Sequence, residues 1–243
     1  MSGIEFDNLL QPVSAAEPSG KNTEYDPAYQ ELLGAAAGEP ERRMGDSVVP
    51  RVEPDWNLAV SLAVDLLSRS KDLRIAIVLS NALLRTEGFT GLDRGLSLTL
   101  RLLTNFWDSI HPQLDPDDND DPTARVNTLL NLCGLETFVN PVRAIPLITS
   151  RVFGAVSLRD VEIGEGKASA PAHADKSSVD PASINAAFQD CEFEQLRETA
   201  TAVSSTLRSV KKIEAFVTDK VGAARAPDLS PLANLLSRIE ALL

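Results

Sequence analysis

Apolar residues recur every three to four positions along most of this chain, the period of a helix laid against a core. An irregular start, Gln11–Glu24 with Pro12 and Pro18, gives way at Asp26-Pro27 to a helix expected to run to about Ala37. Aspartate caps a helix start and proline suits its first position. Gly38–Pro54 is rich in proline and glycine, has little pattern, and reads as a loop. Asp55–Ser68 gathers Trp56, Ala59, Val60, Ala63, Leu66 and Leu67 on one side. Ser70–Glu87 is apolar nearly all round, from Leu73 and Ile75 to Leu83 and Leu84, as befits the centre of a bundle. Gly88 is a helix stop, and Leu92–Ser109 resumes with Leu96, Leu100, Leu103 and Trp107. A helix from Pro122 to Cys133 follows, then a less regular segment to about Pro146. The weak pattern of Arg151–Ile163 leaves room for a short extended piece.

Gly164–Ser178 holds Gly, Ala, Ser and Lys but no large apolar residue, the composition of a flexible linker. Asp180-Pro181 then opens a further helix. From Glu192 to Val221 the stripe Leu196, Ala200, Val203, Leu207, Val210, Val217, Val221 alternates steps of four and three, with Glu214 out of place. That is a heptad seam, suited to a helical hairpin or to self-association through residues 192–243. Leu229, Leu232, Leu236, Ile239 and Leu243 repeat the rule. With the stripe still running at the last residue, the expectation is a continuation into a further domain. The pattern as a whole predicts an all-α fold: a helical bundle over 1–163, a linker over 164–179, and a helical hairpin or three-helix unit over 180–243.

Charge narrows the function. The net charge of −12 repels nucleic acid and anionic membrane and favours basic partner surfaces. The acidic start MSGIEFDN does not read as a signal peptide, and no run reaches the ~18 apolar residues of a membrane span. Cys133 and Cys191 stand far apart in apolar patterns, without a CxxC or a disulfide framework. A reduced, cytoplasmic setting is expected.

The richest chemistry is Asp115-Pro-Asp-Asp-Asn-Asp-Asp121. Asp117, Asp118 and Asp121 match a DDxxD, which in a metal-dependent helical enzyme holds magnesium against a diphosphate. That chemistry needs the carboxylates on one helix face and a second acidic cluster opposite. Pro116 and Pro122 bracket the motif and place it in a loop, and no second cluster exists. A calcium loop starting at Asp115 needs glycine where Asp120 stands and glutamate where Val126 stands. A site on His111 lacks further ligands. No metal, cofactor or catalytic residue is therefore expected. The structural reading is positive: Asp121-Pro122 caps a helix start, Arg125 lies one turn in where it can reach Asp121 or Asp118 in a bidentate pair, and His111-Pro112 ends the preceding helix. Gly164–Ser169 lacks the first glycine and the hydroxyl residue of a phosphate loop, and His173 in the linker has no partner for nucleophilic catalysis. Trp56, Leu73 and Trp107 read as core anchors. Asp72 favours the start of the central helix, and Arg74, amid apolar neighbours, needs a carboxylate partner.

Short phrases in order along 9–125 carry a resemblance. They are Leu9-Leu-Gln-Pro-Val-Ser14 with Pro18-Ser-Gly20; Tyr25-Asp-Pro27; Gly45-Asp-Ser-Val48; Glu53-Pro-Asp-Trp56; Ser70-Lys-Asp-Leu-Arg74; Ala82-Leu-Leu-Arg85 with Gly88 and Gly91-Leu92; Trp107-Asp108; Ile110-His-Pro-Gln-Leu-Asp115; and Asp120-Asp-Pro-Thr-Ala-Arg125. Together they resemble the ImpA-type N-terminal region of TssA proteins of the bacterial type VI secretion system. The resemblance implies a non-enzymatic assembly protein of the contractile tail, in contact with baseplate, tube (Hcp) or sheath proteins and in some members with the membrane complex. The family's ring-forming C-terminal domain has no counterpart here, so ring formation is not carried over. A helical adaptor of another assembly is the alternative from outside enzymology. The expected partner-binding positions, taken as exposed, are Asp46, Asp72, Arg74, Asp115, Asp117, Asp118 and Arg125. The loops Glu39–Glu53 and Asp115–Asp121 are the expected contact surfaces, because loops on a rigid bundle commonly carry binding.

Overall fold

The computed structural model describes residues 6–39, 41–44, 47–169 and 180–243. Helix α1 (Pro27–Ala37) starts where Asp26 accepts the Ala28 N–H at 2.9 Å, and α2 (Trp56–Arg69) where Asp55 accepts the Leu58 N–H at 2.9 Å. Helix α3 (Leu73–Phe106) is capped by Asp72 and broken at Gly88, whose φ of 66° and ψ of −143° are not helical. The break is a full reversal, and α3 is a hairpin of two arms. A Cβ on Gly95 would lie 2.7 Å from the Ser80 Cα, and one on Gly91 would lie 2.2 Å from the Leu83 carbonyl oxygen. Two glycines one turn apart thus let the second arm lie directly on the first.

The remaining helices are α4 (Thr123–Leu130), α5 (Asn140–Ala144), α6 (Leu158–Gly164), α7 (Pro181–Asp190), α8 (Phe193–Val221) and α9 (Ser230–Glu240). The linker expected over 164–179 falls largely on 170–179, outside the described residues, as does Asp46.

The all-α expectation is corrected. The fold is helix-dominated but mixed, with two antiparallel two-stranded sheets among the described residues: β1 (Arg42–Met44) with β2 (Ser47–Val49), and β3 (Pro146–Ser150) with β4 (Gly154–Ser157). The stretch read as a loop over 38–54 is closed at its base by Glu39 and Val52, which exchange two backbone hydrogen bonds of 2.8 Å. In the second hairpin Ile148 and Val156 pair across the strands and are both buried. The Ser150 hydroxyl accepts the N–H groups of Val152 and Phe153 and holds the turn. Strands this short show too few residues for a period of two to stand out, although β4 is the extended piece expected within 151–163.

The α8 stripe packs onto α3 and α9 within the chain. Val203, Leu207, Val210, Ile213 and Val217 are buried there, and Phe216 meets the Trp107 ring edge-on at 5.6 Å between centroids. Each such side chain removed from water stabilises the fold by about 1.5–3 kcal/mol. Glu214, the misfit in the heptads, accepts the Leu229 N–H at 3.2 Å just ahead of α9. Of the two uses open to the seam, the structure shows the one within the chain: along Val203–Val221 it is filled by α3 and α9.

Candidate partner-binding site

Three of the sequence phrases converge at the foot of the α3 hairpin. Leu73 N–H donates to the His111 carbonyl at 2.8 Å and His111 N–H donates to the Lys71 carbonyl at 2.9 Å. Lys71 N–H reaches back to the Ser19 carbonyl at 2.7 Å, the Ser70 hydroxyl donates to the Lys21 carbonyl at 2.8 Å, and the Ser19 and Ser109 hydroxyls share a 2.7 Å hydrogen bond. The His111 ring Nε2 lies 3.0 Å from the Gly20 carbonyl oxygen. Gly20, with φ of 68°, is needed here, because a Cβ would sit 2.3 Å from the Arg69 carbonyl oxygen. The His111-Pro112 peptide is cis. The buried Lys71 ammonium donates to the Leu67 carbonyl at 2.9 Å, and burial lowers its pKa.

The expected contact residues Asp72, Arg74 and Arg125 are engaged within the fold instead. Asp72 is fully buried; its carboxylate accepts the Arg74 N–H at 2.8 Å and the guanidinium of Arg74 at 2.7 Å. Arg74 also donates to Glu24 at 3.0 Å and Asn22 at 2.8 Å, and its guanidinium lies over the Tyr29 ring at 5.5 Å. The expected carboxylate partner is thus present twice. Burial alone would lower the Arg74 pKa, but the bonds and charge of Asp72, with Glu24, reverse this and raise it. The same pair holds Glu24 below the usual carboxylate range, through its hydrogen bond to Arg74 and then the charge.

Arg125 is the second correction. It is 1% exposed and pairs with neither Asp121 nor Asp118. Its guanidinium lies over the Trp107 ring at 4.5 Å and donates to three carbonyls: Trp107 at 2.7 Å, Ile110 at 2.8 Å, and Pro112 at 2.9 and 3.0 Å. These carbonyls belong to the C-cap of α3 and the turn that follows it, outside any helical ladder, and the fork of Arg125 satisfies them. Burial lowers its pKa to about 10, still far above neutral, so it remains charged.

Asp115, Asp117 and Asp118 are exposed, as expected. Asp115 and Asp121 exchange backbone hydrogen bonds of 3.2 Å, closing the base of the loop. Pro116–Asp118 forms a 3-10 turn, and Asn119 and Asp120 both have positive φ, 51° and 55°. Asp117, Asp118 and Asp121 therefore do not share a helix face. Asp121 accepts the backbone N–H and hydroxyl of Thr123 at 3.2 and 3.1 Å, but Pro122 is the cap position and α4 starts at Thr123, one residue beyond the expected Pro122 start. Of the structural anchors, Leu73, Trp107 and Pro122 are buried, Pro112 is half-buried, and half-buried Trp56 stacks under Arg85 at 5.2 Å. Among the described residues no group of three or more His, Cys, Asp or Glu is placed to hold a metal ion, and no helix is long and apolar enough to cross a membrane.

Sequence reading missed a groove beside the aspartate loop, with a cavity of about 470 Å³ between α1, the first arm of α3, α4 and residues 131–138. Its residues lie too far apart in the chain to form a motif; the pair Asn127 and Asn131, one helical turn apart, is its sole local signal.

A family model described as ImpA, N-terminal, type VI secretion system, matches residues 10–134. The type VI secretion system component TssA1 of Pseudomonas aeruginosa is 40% identical over 228 residues, covering 94% of this chain and 65% of its own length. The chain thus spans just under two-thirds of that relative. A solved structure, the N-terminal domain including the conserved ImpA_N region of the TssA component from Burkholderia cenocepacia, matches with a TM-score of 0.78 at 25% identity, over 100% of this chain and 93% of that one. The polar phrases that lock the foot of the hairpin lie within the matched region, and the chain belongs to the TssA family of type VI secretion system components.

Proposed function

We propose that this chain is a non-enzymatic scaffold that docks onto baseplate, tube or sheath proteins while the contractile tail is built in the cytoplasm. The observation that carries this reading is the division of labour among the polar residues. Asp72, Arg74, His111 and Arg125 are engaged in hydrogen bonds within the fold at the foot of the α3 hairpin, while Asp115, Asp117 and Asp118 stand exposed on a loop closed by the backbone pairing of Asp115 with Asp121. Exposed carboxylates on a chain of net charge −12 suit a basic partner face and a salt-sensitive association. Val48 and Val52, 51% and 54% exposed, add apolar contact area.

The test is co-purification of the chain with each baseplate, tube and sheath protein of its own organism, beside a variant carrying Asp117→Lys and Asp118→Lys. Retention of one component, lost in the variant and at high salt, supports docking through the loop. A variant that binds the same components as the wild type at both salts contradicts it.

A further inference from the structure

We propose that Asp93 makes the joint between α3 and α8 sensitive to protons: the ionised carboxylate loosens the joint and the protonated acid closes it. This joint is the most extensive contact between two elements among the described residues, and it seats α8 on the second arm of the α3 hairpin. Asp93 stands on that arm, beside a cavity of about 530 Å³ lined by Thr90 and Asp93 from α3 and by Arg197, Glu198, Thr201 and Ala202 from α8. The Asp93 Oδ1 atom is buried and has no hydrogen-bond partner among the described residues. A carboxylate oxygen shut away from water needs a donor, and leaving it without one costs stability.

The groups around Asp93 do not make good that loss. The Thr201 hydroxyl is committed to the Arg197 carbonyl at 2.8 Å, and the Arg197 guanidinium pairs with Glu194 at 2.8 Å. Next to Asp93 on its own helix, Arg94 pairs with Glu87 and lies over the Phe6 ring at 4.7 Å. Glu198 lines the same cavity and adds a second negative charge. The Ser205 hydroxyl and the charge of exposed Arg208, both on α8, favour the ionised form of Asp93. Burial outweighs them and raises its pKa above the ordinary aspartate value of 3.8.

The raised value fixes the direction of the effect. Between 3.8 and the folded-state value, the folded chain holds a proton on Asp93 that the unfolded chain has lost. The stability from this group is therefore fully present below 3.8 and is lost as the pH rises through the folded-state value. That sign is opposite to the one for Glu24 and Asp26, whose carboxyls are held below their ordinary values. Protonation removes the buried charge and gives the carboxyl a donor of its own. The joint and the aspartate loop share no residue, so either reading can fail while the other stands.

The experiment follows amide hydrogen exchange in the full 243-residue chain between about pH 4 and about pH 8. Asp93→Asn and Arg208→Gln are run in parallel, and each rate is compared with wild type at the same pH. Asparagine keeps the shape of the side chain but cannot ionise, and Arg208 is exposed, so both variants should keep the fold. At the alkaline end the α8 amides of Asp93→Asn should exchange at least about fivefold more slowly than in wild type. That difference should close towards the acid end. Arg208→Gln should exchange faster than wild type at the alkaline end and alike at the acid end, because only the ionised carboxylate feels the lost charge. Equal rates in Asp93→Asn and wild type at the alkaline end would overturn the proposal, since the carboxylate would then be compensated. Slowing by one factor at every pH would overturn it too, because the charge would not be the cause. An effect spread equally over α1 and α2 would reject a device seated at this joint.

Discussion

Replacing Arg125 with methionine removes the guanidinium while keeping an apolar side chain over Trp107. Three carbonyls, those of Trp107, Ile110 and Pro112, then lose their donors. Charge-assisted hydrogen bonds are worth about 1.5–3 kcal/mol each, so the four contacts amount to roughly 6–12 kcal/mol gross. Against that stands the cost of desolvating the guanidinium, several kcal/mol, which the substitution relieves. Water can also reach half-buried Pro112. The bonds outweigh the relief, leaving a loss of about 3 kcal/mol, or about 6–12 °C in Tm for a chain of this size. Thermal unfolding followed by far-UV circular dichroism and tryptophan fluorescence measures it. Arg125→Lys keeps the charge but lacks the fork, and should remain destabilised. A methionine variant within about 0.5 kcal/mol of wild type, or full stability in the lysine variant, would refute the claim that Arg125 ties the end of α3.

Gly95→Ala should cost about 1–3 kcal/mol by pushing the two arms of α3 apart at Ser80; an unchanged urea midpoint would show that the arms do not pack so closely. Glu24 and Asp26 are both held below their ordinary values of 4.5 and 3.8, by hydrogen bonds to Arg74 and Arg69. In that window the unfolded chain binds more protons, so stability rises with pH, is complete above about 4.5 and is lost as acid drives the pH below it. Glu24→Gln should flatten that dependence, and identical acid-unfolding curves for variant and wild type would count against the Arg74 pair. Asp117→Lys with Asp118→Lys should leave stability within about 0.5 kcal/mol, because both side chains are exposed; a collapse in Tm would mean that the loop is part of the fold rather than a docking surface.

The helical frame was legible because its signals are local. Asp26, Asp55 and Asp180 each stand at a real cap, and Gly88 marks the break in α3. That Gly88 begins a full reversal was not legible: the close approach depends on Gly91 and Gly95 meeting Leu83 and Ser80, a contact between arms that periodicity does not encode. The proline brackets placed the aspartates in a loop, but Arg125 was paired with the wrong groups. Sequence reading weighs side-chain carboxylates, whereas its actual partners are backbone carbonyls, which every residue has. The heptad seam was equally plain in the sequence, yet its partner α3 lies some hundred residues away, so closure within the chain became visible only in three dimensions. Asp72 illustrates the same limit: its place at a helix start was readable, and its complete burial under Arg74 was not.

Docking through the aspartate loop is tested most directly by co-purifying the 243-residue chain with each baseplate, tube and sheath protein at low and at high salt, with the Asp117→Lys/Asp118→Lys variant in parallel. The expected result is one tail component retained at low salt, released at high salt and absent from the variant. Wild type and variant binding the same component equally at both salts, or wild type binding none, would contradict it.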